Sequence, residues 1–307
     1  MKNLIQPVID YKASKISRTP CYSNRASEIG YHVPILGGCV RRGVYARTIW
    51  GERELHDVNV QLIFDEGNNQ ERQVLLDLAM SGVQIIEQQS AWVWDNYSIS
   101  GHIDGSHVED GVAYPIEIKS MSPNVFSIIN CFEDFKKKPW TRSYMAQITI
   151  YMLFKNVDKG IFILKNKSTG ELKQITVDLD YELGEACLKT AEEINEHIRN
   201  GTLPGRIPDI QVCKKCPFRL SCLPEISFGE ELRIVDDPIF EQRIDRYRDL
   251  CEISNECESI YEIIRSEAKS QAGGKDLNML VGKYRITGKY STNNAFRLSI
   301  QNIEEEE

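Results

Sequence analysis

Three residues whose side chains could act together flank an expected turn in this chain: Asp104 on one side of the dipeptide Asp110-Gly111, and Glu117 with Lys119 on the other. An Asp-Gly pair between two strand-like runs favours a two-residue hairpin turn, because both central residues of such a turn take positive φ. With those two residues at the turn, Gly105 faces Ile116 and Asp104 faces Glu117. Directly opposed residues have Cβ atoms about 4.5–5.5 Å apart, close enough for two carboxylates to share one cation. Strand alternation sends Glu117 and Lys119 to one face and Ile116 and Ile118 to the other. Two carboxylates and an amine so arranged suit phosphodiester hydrolysis. Hard oxygen ligands hold Mg2+ or Mn2+, and an ammonium orients water or offsets developing charge. An ordinary salt-bridged hairpin is the alternative, since an E-x-K triplet alone is common.

Two further stretches bear on the choice. From Gly67 to Gly82 the pattern is helical, with Val74, Leu75 and Leu78 as its apolar stripe, and Glu71 lies three and four residues before the first two. A carboxylate on an apolar face is costly to bury without compensation, which makes Glu71 a candidate third ligand. A second helix is expected over 142–155. Tyr144, Gln147 and Tyr151 form its one polar stripe, among Met145, Ile148, Ile150, Met152, Leu153 and Phe154. That stripe faces either a phosphate-bearing site or partners inside the core. Lys136, Lys137 and Lys138 with Trp140 and Arg142 precede this helix, as phosphate and base contacts or as a solvated loop.

Cys213, Cys216 and Cys222 form a C-x2-C-x5-C array, one thiolate short of a closed tetrahedral site. Four thiolates suit zinc or an iron-sulfur cluster, and spacing does not choose between them. Nine cysteines in a chain without an apparent export signal point to a cytoplasmic protein with metal-bound thiols, not a disulfide framework. The formal net charge of -8 argues against coating nucleic acid by bulk attraction and leaves room for a local carboxylate site. No stretch approaches the roughly 20 apolar residues of a membrane helix, so no membrane partner is expected.

The elements that must position these groups alternate between strand and helix. Residues 91–106 and 112–120 are expected as strands, with further strands near 160–165 and 172–178. Helices are expected at 182–200 and, as one long element, 238–270, ended by Gly273-Gly274; short strands follow over 279–303. Residues 1–64 mix loops with short apolar runs. This divides the chain into 1–226, ending in the cysteine array, and a C-terminal helical and β extension, 227–307, which packs on the first domain or on a second subunit.

Over roughly residues 20–225 the sequence resembles the RecB-like branch of the PD-(D/E)xK nucleases, and more closely the CRISPR-associated and phage-encoded exonucleases that carry an iron-sulfur cluster. The resemblance rests on Gly67 with Glu71, Gly101 with Asp104, Glu117 with Lys119, and Gln147 with Tyr151. Many relatives have histidine where this chain has Glu71. The resemblance implies an α/β fold with a restriction-endonuclease-like core, a central mixed sheet flanked by helices. It implies a metal-dependent DNA nuclease, an exonuclease on single strands or ends with 5′ to 3′ polarity. Glu71, Asp104 and Glu117 would hold the metal, Lys119 would assist the water, and Gln147 and Tyr151 would position DNA. Tyr144, Arg41, Arg42, Lys137 and Trp140 are further candidate DNA contacts. It also implies a [4Fe-4S] cluster, zinc being the alternative, on Cys39, Cys213, Cys216 and Cys222; Cys39 opens a C-x-R-x-x-x-Y segment with Arg41 and Tyr45, and Cys21 is its rival. The remaining cysteines, 131, 187, 251 and 257, are expected as buried small apolar residues. The rival functions are an end-trimming endonuclease within a DNA-processing or CRISPR adaptation complex, and a non-catalytic DNA-binding scaffold.

Overall fold

The computed structural model describes residues 3–223, 232–235, 237–249, 254–291 and 295–303. They fall into two compact units, Met1–Leu203 and Pro204–Glu307. The expected division at 226/227 lies outside the described residues.

The first unit contains α1 (Gln6–Ser14), β1 (Asn24–Arg25), α2 (Ala26–Ile29), α3 (Val40–Thr48), α4 (Val58–Met80), β2 (Ile85–Ile86), β3 (Ser90–Trp94) and β4 (Ile99–Ile103). It continues with β5 (Gly105–Glu109), β6 (Val112–Met121), α5 (Pro123–Ile128), α6 (Arg142–Lys155), β7 (Lys159–Asn166), β8 (Leu172–Asp178) and α7 (Tyr181–Asn200). The central sheet runs β2-β5-β6-β7-β8, with β6 and β7 parallel and the other neighbours antiparallel. This is a mixed sheet flanked by helices. On one face α4 lays Val74 and Leu75 on Ile116, Ile118 and Ile163. The other face carries the main core, where Phe162, Leu164, Ile175 and Val177 meet Ile148 and Met152 of α6 and Leu183, Cys187 and Ala191 of α7. Each large side chain fully buried there contributes about 1.5–3 kcal/mol, enough to hold α6 against the strands that carry Glu117 and Lys119.

The β5–β6 hairpin has the register that its turn requires. Asp110 and Gly111 take φ of 50° and 78°, and Gly105 pairs with Ile116 through to Glu109 with Val112. Helix α6 spans the expected residues and stops at Asn156, a residue that tolerates the left-handed conformation it adopts there (φ 53°).

Four expectations change. The stretch 91–106 is three strands in two sheets: β3 turns back on β4 through left-handed Ser98, β1-β4-β3 form a small sheet, and the chain bends at Asp104 to enter the central sheet as β5. Helix α4 starts nine residues before Gly67, at Val58, because Asp57 caps it by accepting the Val60 N–H (3.0 Å). Gly67 therefore lies inside the helix, whereas Gly82 (φ 80°) does follow its end. The segment around Arg41 and Arg42, expected only as one of the short apolar runs of residues 1–64, is helix α3. The long pattern 238–270 is two helices, Pro238–Asp249 and Ser254–Ala272.

The second unit opens with two short helices, α8 (Ile210–Lys214) and α9 (Arg219–Cys222), followed by β9 (Leu232–Val235), α10 (Pro238–Asp249), α11 (Ser254–Ala272), β10 (Leu277–Val281), β11 (Tyr284–Tyr290) and β12 (Phe296–Asn302). Its sheet runs β12-β11-β10-β9, with β9 parallel to β10. Phe240 and Ile244 of α10 and Ile264, Ala268 and Ala272 of α11 form a core with Met279, Val281, Ile286 and Phe296. Both helices therefore bury one apolar face in this core. No helix among the described residues is long and apolar enough to cross a membrane.

Candidate active site

Strand β6 places Glu117 and Lys119 on the α6 side of the sheet, while Ile116 and Ile118 face α4. Glu117 is 0 % exposed. Lys119 pairs its ammonium with Glu117 Oε1 and sits 4.9 Å from the centre of the Tyr144 ring. Asp104 lies at the bend just before β5. Its carboxylate turns toward β6, where Oδ2 accepts the Ile118 N–H (2.8 Å). Glu71 comes from α4. The Gln89 side chain joins it to Asp104: Nε2 donates to Glu71 Oε1 and, at 3.4 Å, to Asp104 Oδ1. Four separate segments of the first unit therefore meet: α4, the β2–β3 loop, the β4–β5 bend and β6.

The electrostatics follow from this crowding. Burial, reinforced by the Asp104 charge, pushes Glu117 up to about 8 even though Lys119 opposes the shift. Burial and the same aspartate push Glu71 up to about 7. Asp104 is raised by burial against the pull of Lys119. Burial disfavours the Lys119 ammonium, but Glu117 and Asp104 outweigh it and hold the pKa above the ordinary lysine value. Glu117 Oε2 has no hydrogen-bond partner among the described residues. Three mutually repelling carboxylates around one ammonium, with a buried oxygen left over, form a site with excess negative charge and hard donors. No group of three or more His, Cys, Asp or Glu side chains among the described residues is already gathered as a metal cage. The oxygens turn instead to Gln89, the Ile118 N–H and Lys119.

The α6 stripe lies alongside. Gln147 donates to the Tyr151 hydroxyl (2.8 Å), which donates to the His102 carbonyl (2.8 Å). These bonds satisfy both buried groups locally, yet their side chains also line a cavity of about 250 Å³ with Arg25, Ser27, Ser100, Gly101 and His102. Arg25 ends β1 and Ser27 lies in α2, within the stretch 1–64 where no defined element is expected from the sequence.

Other candidates lie elsewhere. Arg41 is buried and donates to the Tyr45 hydroxyl (3.2 Å), and the Arg42 guanidinium stacks 4.5 Å from the Tyr31 ring centre. Lys137 pairs with Asp134 (2.8 Å) and donates to the Ile128 carbonyl (3.1 Å); Trp140 is about half exposed. Cys39 is the residue before α3 in the first unit. Cys213, Cys216 and Cys222 lie in or beside α8 and α9 of the second, where Cys213 and Cys222 pack against Leu223, Leu280 and Ile303. Cys21 is buried, with Sγ directed at the Ser23 carbonyl (3.2 Å). Cys187 is buried as expected. Cys131 is exposed, contrary to expectation, because it caps the 3-10 turn Phe132–Lys137. Cys257 is half-buried, and Cys251 falls outside the described residues. Sequence reading missed Gln89, Glu87 and Lys155; none has a periodic or spacing signal.

A mixed α/β unit with an acidic cluster around one lysine is thus the class that fold and site define. No family model matches the chain, and neither does any curated protein. Among solved structures it is similar to one titled "Crystal structure of SSO0001" (15 % identity, 73 % of this chain and 98 % of that one, TM-score 0.43). It is also similar to LHK-Exo in complex with dAMP (13 %, 64 % and 95 %, TM-score 0.37). A third is a phage related exonuclease from Haemophilus somnus 129PT (12 %, 58 % and 96 %, TM-score 0.41).

Proposed function

We propose that the first unit is a metal-dependent nuclease that hydrolyses phosphodiester bonds in DNA. The observation that carries this reading is Glu117. It is wholly buried, shares its surroundings with two more carboxylates, and leaves Oε2 unpartnered beside a charged lysine. Burying such charge is expensive unless a cation joins it. The donor set fits Mg2+ or Mn2+, with Glu71, Asp104 and Glu117 as the residues that would hold it. When bound, the ion polarises the phosphate and makes its water acidic enough to supply hydroxide.

The protein's own groups do the rest. Lys119, kept protonated by Glu117 and Asp104, orients the attacking water and offsets charge on the phosphate. Gln147, Tyr151 and Arg25 line the neighbouring cavity, where an amide, a phenol and a guanidinium suit a phosphate and the sugar attached to it. The substrate is single-stranded DNA or DNA ends, cut exonucleolytically from the 5′ end as the sequence resemblance implies. Cys213, Cys216 and Cys222, with Cys39 as that resemblance assigns it, are proposed to bind a [4Fe-4S] cluster, which fits a reducing compartment, the cytoplasm. Iron and acid-labile sulfide in anaerobically purified protein support the cluster; zinc in their place rejects it.

The decisive experiment digests end-labelled single- and double-stranded DNA with and without Mg2+ or Mn2+. Cleavage is expected only with metal, and Asp104→Asn, Glu117→Gln and Lys119→Met are each expected to lower it at least about 10²-fold, the effect of losing one transition-state contact. Metal-independent cleavage, or full activity in all three variants, rejects the assignment.

A further inference from the structure

Gln89 was not among the residues that the sequence pointed to, yet its side chain is the link between Glu71 and Asp104. Its carboxamide donates one hydrogen bond to an oxygen of each. The backbone that carries it is unusual. Glu87 and Gln89 both have positive φ, 54° and 51°, a conformation that costs free energy in a residue with a Cβ and persists only where surrounding contacts demand it.

Those contacts are present. Glu87 Oε2 accepts the Ser106 hydroxyl (2.7 Å) from β5 and pairs with the Lys155 ammonium from the last turn of α6. The Ser90 N–H donates to the Glu87 carbonyl (3.1 Å), and the Gln89 N–H points to the Asp104 carbonyl (3.4 Å). A clamp built from two other elements thus holds a strained loop whose product is one carboxamide between two acids. The donation pattern leaves room for a cation. On Glu71 the amide takes Oε1 and leaves Oε2; on Asp104 it takes Oδ1, while Ile118 N–H takes one direction on Oδ2. A carboxylate oxygen has more than one lone pair, so both acids keep a direction open.

We propose that Gln89 is a positioning residue that pre-assembles Glu71 and Asp104 for the divalent cation, and that the Glu87–Lys155–Ser106 clamp holds it there. This rests on the nuclease reading above. Without the amide, the two like-charged side chains separate, and the metal must gather them at the expense of its own affinity.

The test titrates Mn2+ into metal-free protein and measures affinity by calorimetry, for wild type, Gln89→Ala, Gln89→Glu and Lys155→Met. Gln89→Ala is expected to weaken binding by about 10–100-fold, the effect of losing a residue that orients a metal ligand. Lys155→Met is expected to weaken it in the same direction by less. Gln89→Glu removes the donors and is expected not to restore affinity. In digestion assays Gln89→Ala should need more metal for half-maximal rate but approach the wild-type rate at saturation. Because Gln89 and Lys155 lie on different elements, folding of either variant suffices, checked by far-UV circular dichroism. Wild-type affinity retained in Gln89→Ala, or a rate that stays low at saturating metal, overturns the proposal. A wild type that binds no Mn2+ overturns the nuclease reading itself, so the two failures are told apart.

Discussion

At the scale of single residues, much of the first unit's chemistry is set by where charge is buried. His32 shows this away from the site. Burial, with the Arg42 charge second, lowers its pKa to about 3. Nδ1 has no hydrogen-bond partner among the described residues. Between that value and the ordinary histidine value of about 6.5 the unfolded chain binds the extra proton and the folded one does not. Its contribution is therefore full above about pH 6.5 and falls as pH drops toward 3, by at most about 1.4 kcal/mol per pH unit. Denaturant titrations from pH 7 to 4 should show that loss, and His32→Phe should flatten it; an unchanged slope in the variant would reject His32 as its source. The acidic site obeys the same rule with opposite sign. Glu117, raised by burial, favours the metal-free fold at low pH and loses that contribution as pH rises through about 8.

At the scale of elements, the hairpin and its turn decide whether the site exists. A side chain at position 111 must adopt φ near 78°, where the added Cβ meets no neighbour, so the penalty is purely conformational. Gly111→Ala is therefore expected to cost about 1–2 kcal/mol, seen as a lower denaturation midpoint with an unchanged slope. A destabilisation near zero would mean that the turn relaxes. The bend at Asp104 is a different kind of feature. It transfers the chain from the β1-β4-β3 sheet to the central one, and so turns the aspartate's carboxylate onto the Ile118 N–H. The unbroken strand expected over 91–106 would instead have placed Asp104 within the central ladder.

At the scale of the whole molecule, the division at Leu203/Pro204 puts the carboxylates, Lys119, Gln89 and the Gln147–Tyr151 pair in one unit and the C-x2-C-x5-C array in the other. Ligands that bind only the folded state stabilise it by mass action. Mn2+ at about a hundred times its dissociation constant is expected to add about 2.7 kcal/mol. Calorimetric melting should show a matching rise that Asp104→Asn abolishes. Glu117→Gln is expected to lose the metal increment as well. Equal metal effects in all three proteins would show that the cation binds elsewhere.

What the sequence determined alone was what nearest-neighbour chemistry controls. The Asp110-Gly111 pair sets the register of Gly105 against Ile116, since turn geometry is local, and leaves Asp104 at the bend just outside that ladder. The 3.6-residue period placed α6 and its Gln147–Tyr151 stripe, and the cysteine spacing marked an array before any fold was known. Tertiary structure alone decided the rest. It brought Glu71 from α4 and Gln89 from a loop to the same carboxylate, split the run 91–106 between two sheets, and paired Lys119 with Glu117 on a buried face. Periodicity reports which way a side chain faces, but not which distant segment it meets. A strained backbone such as that at Glu87 and Gln89 leaves no mark on local sequence, because contacts from β5 and α6 impose it.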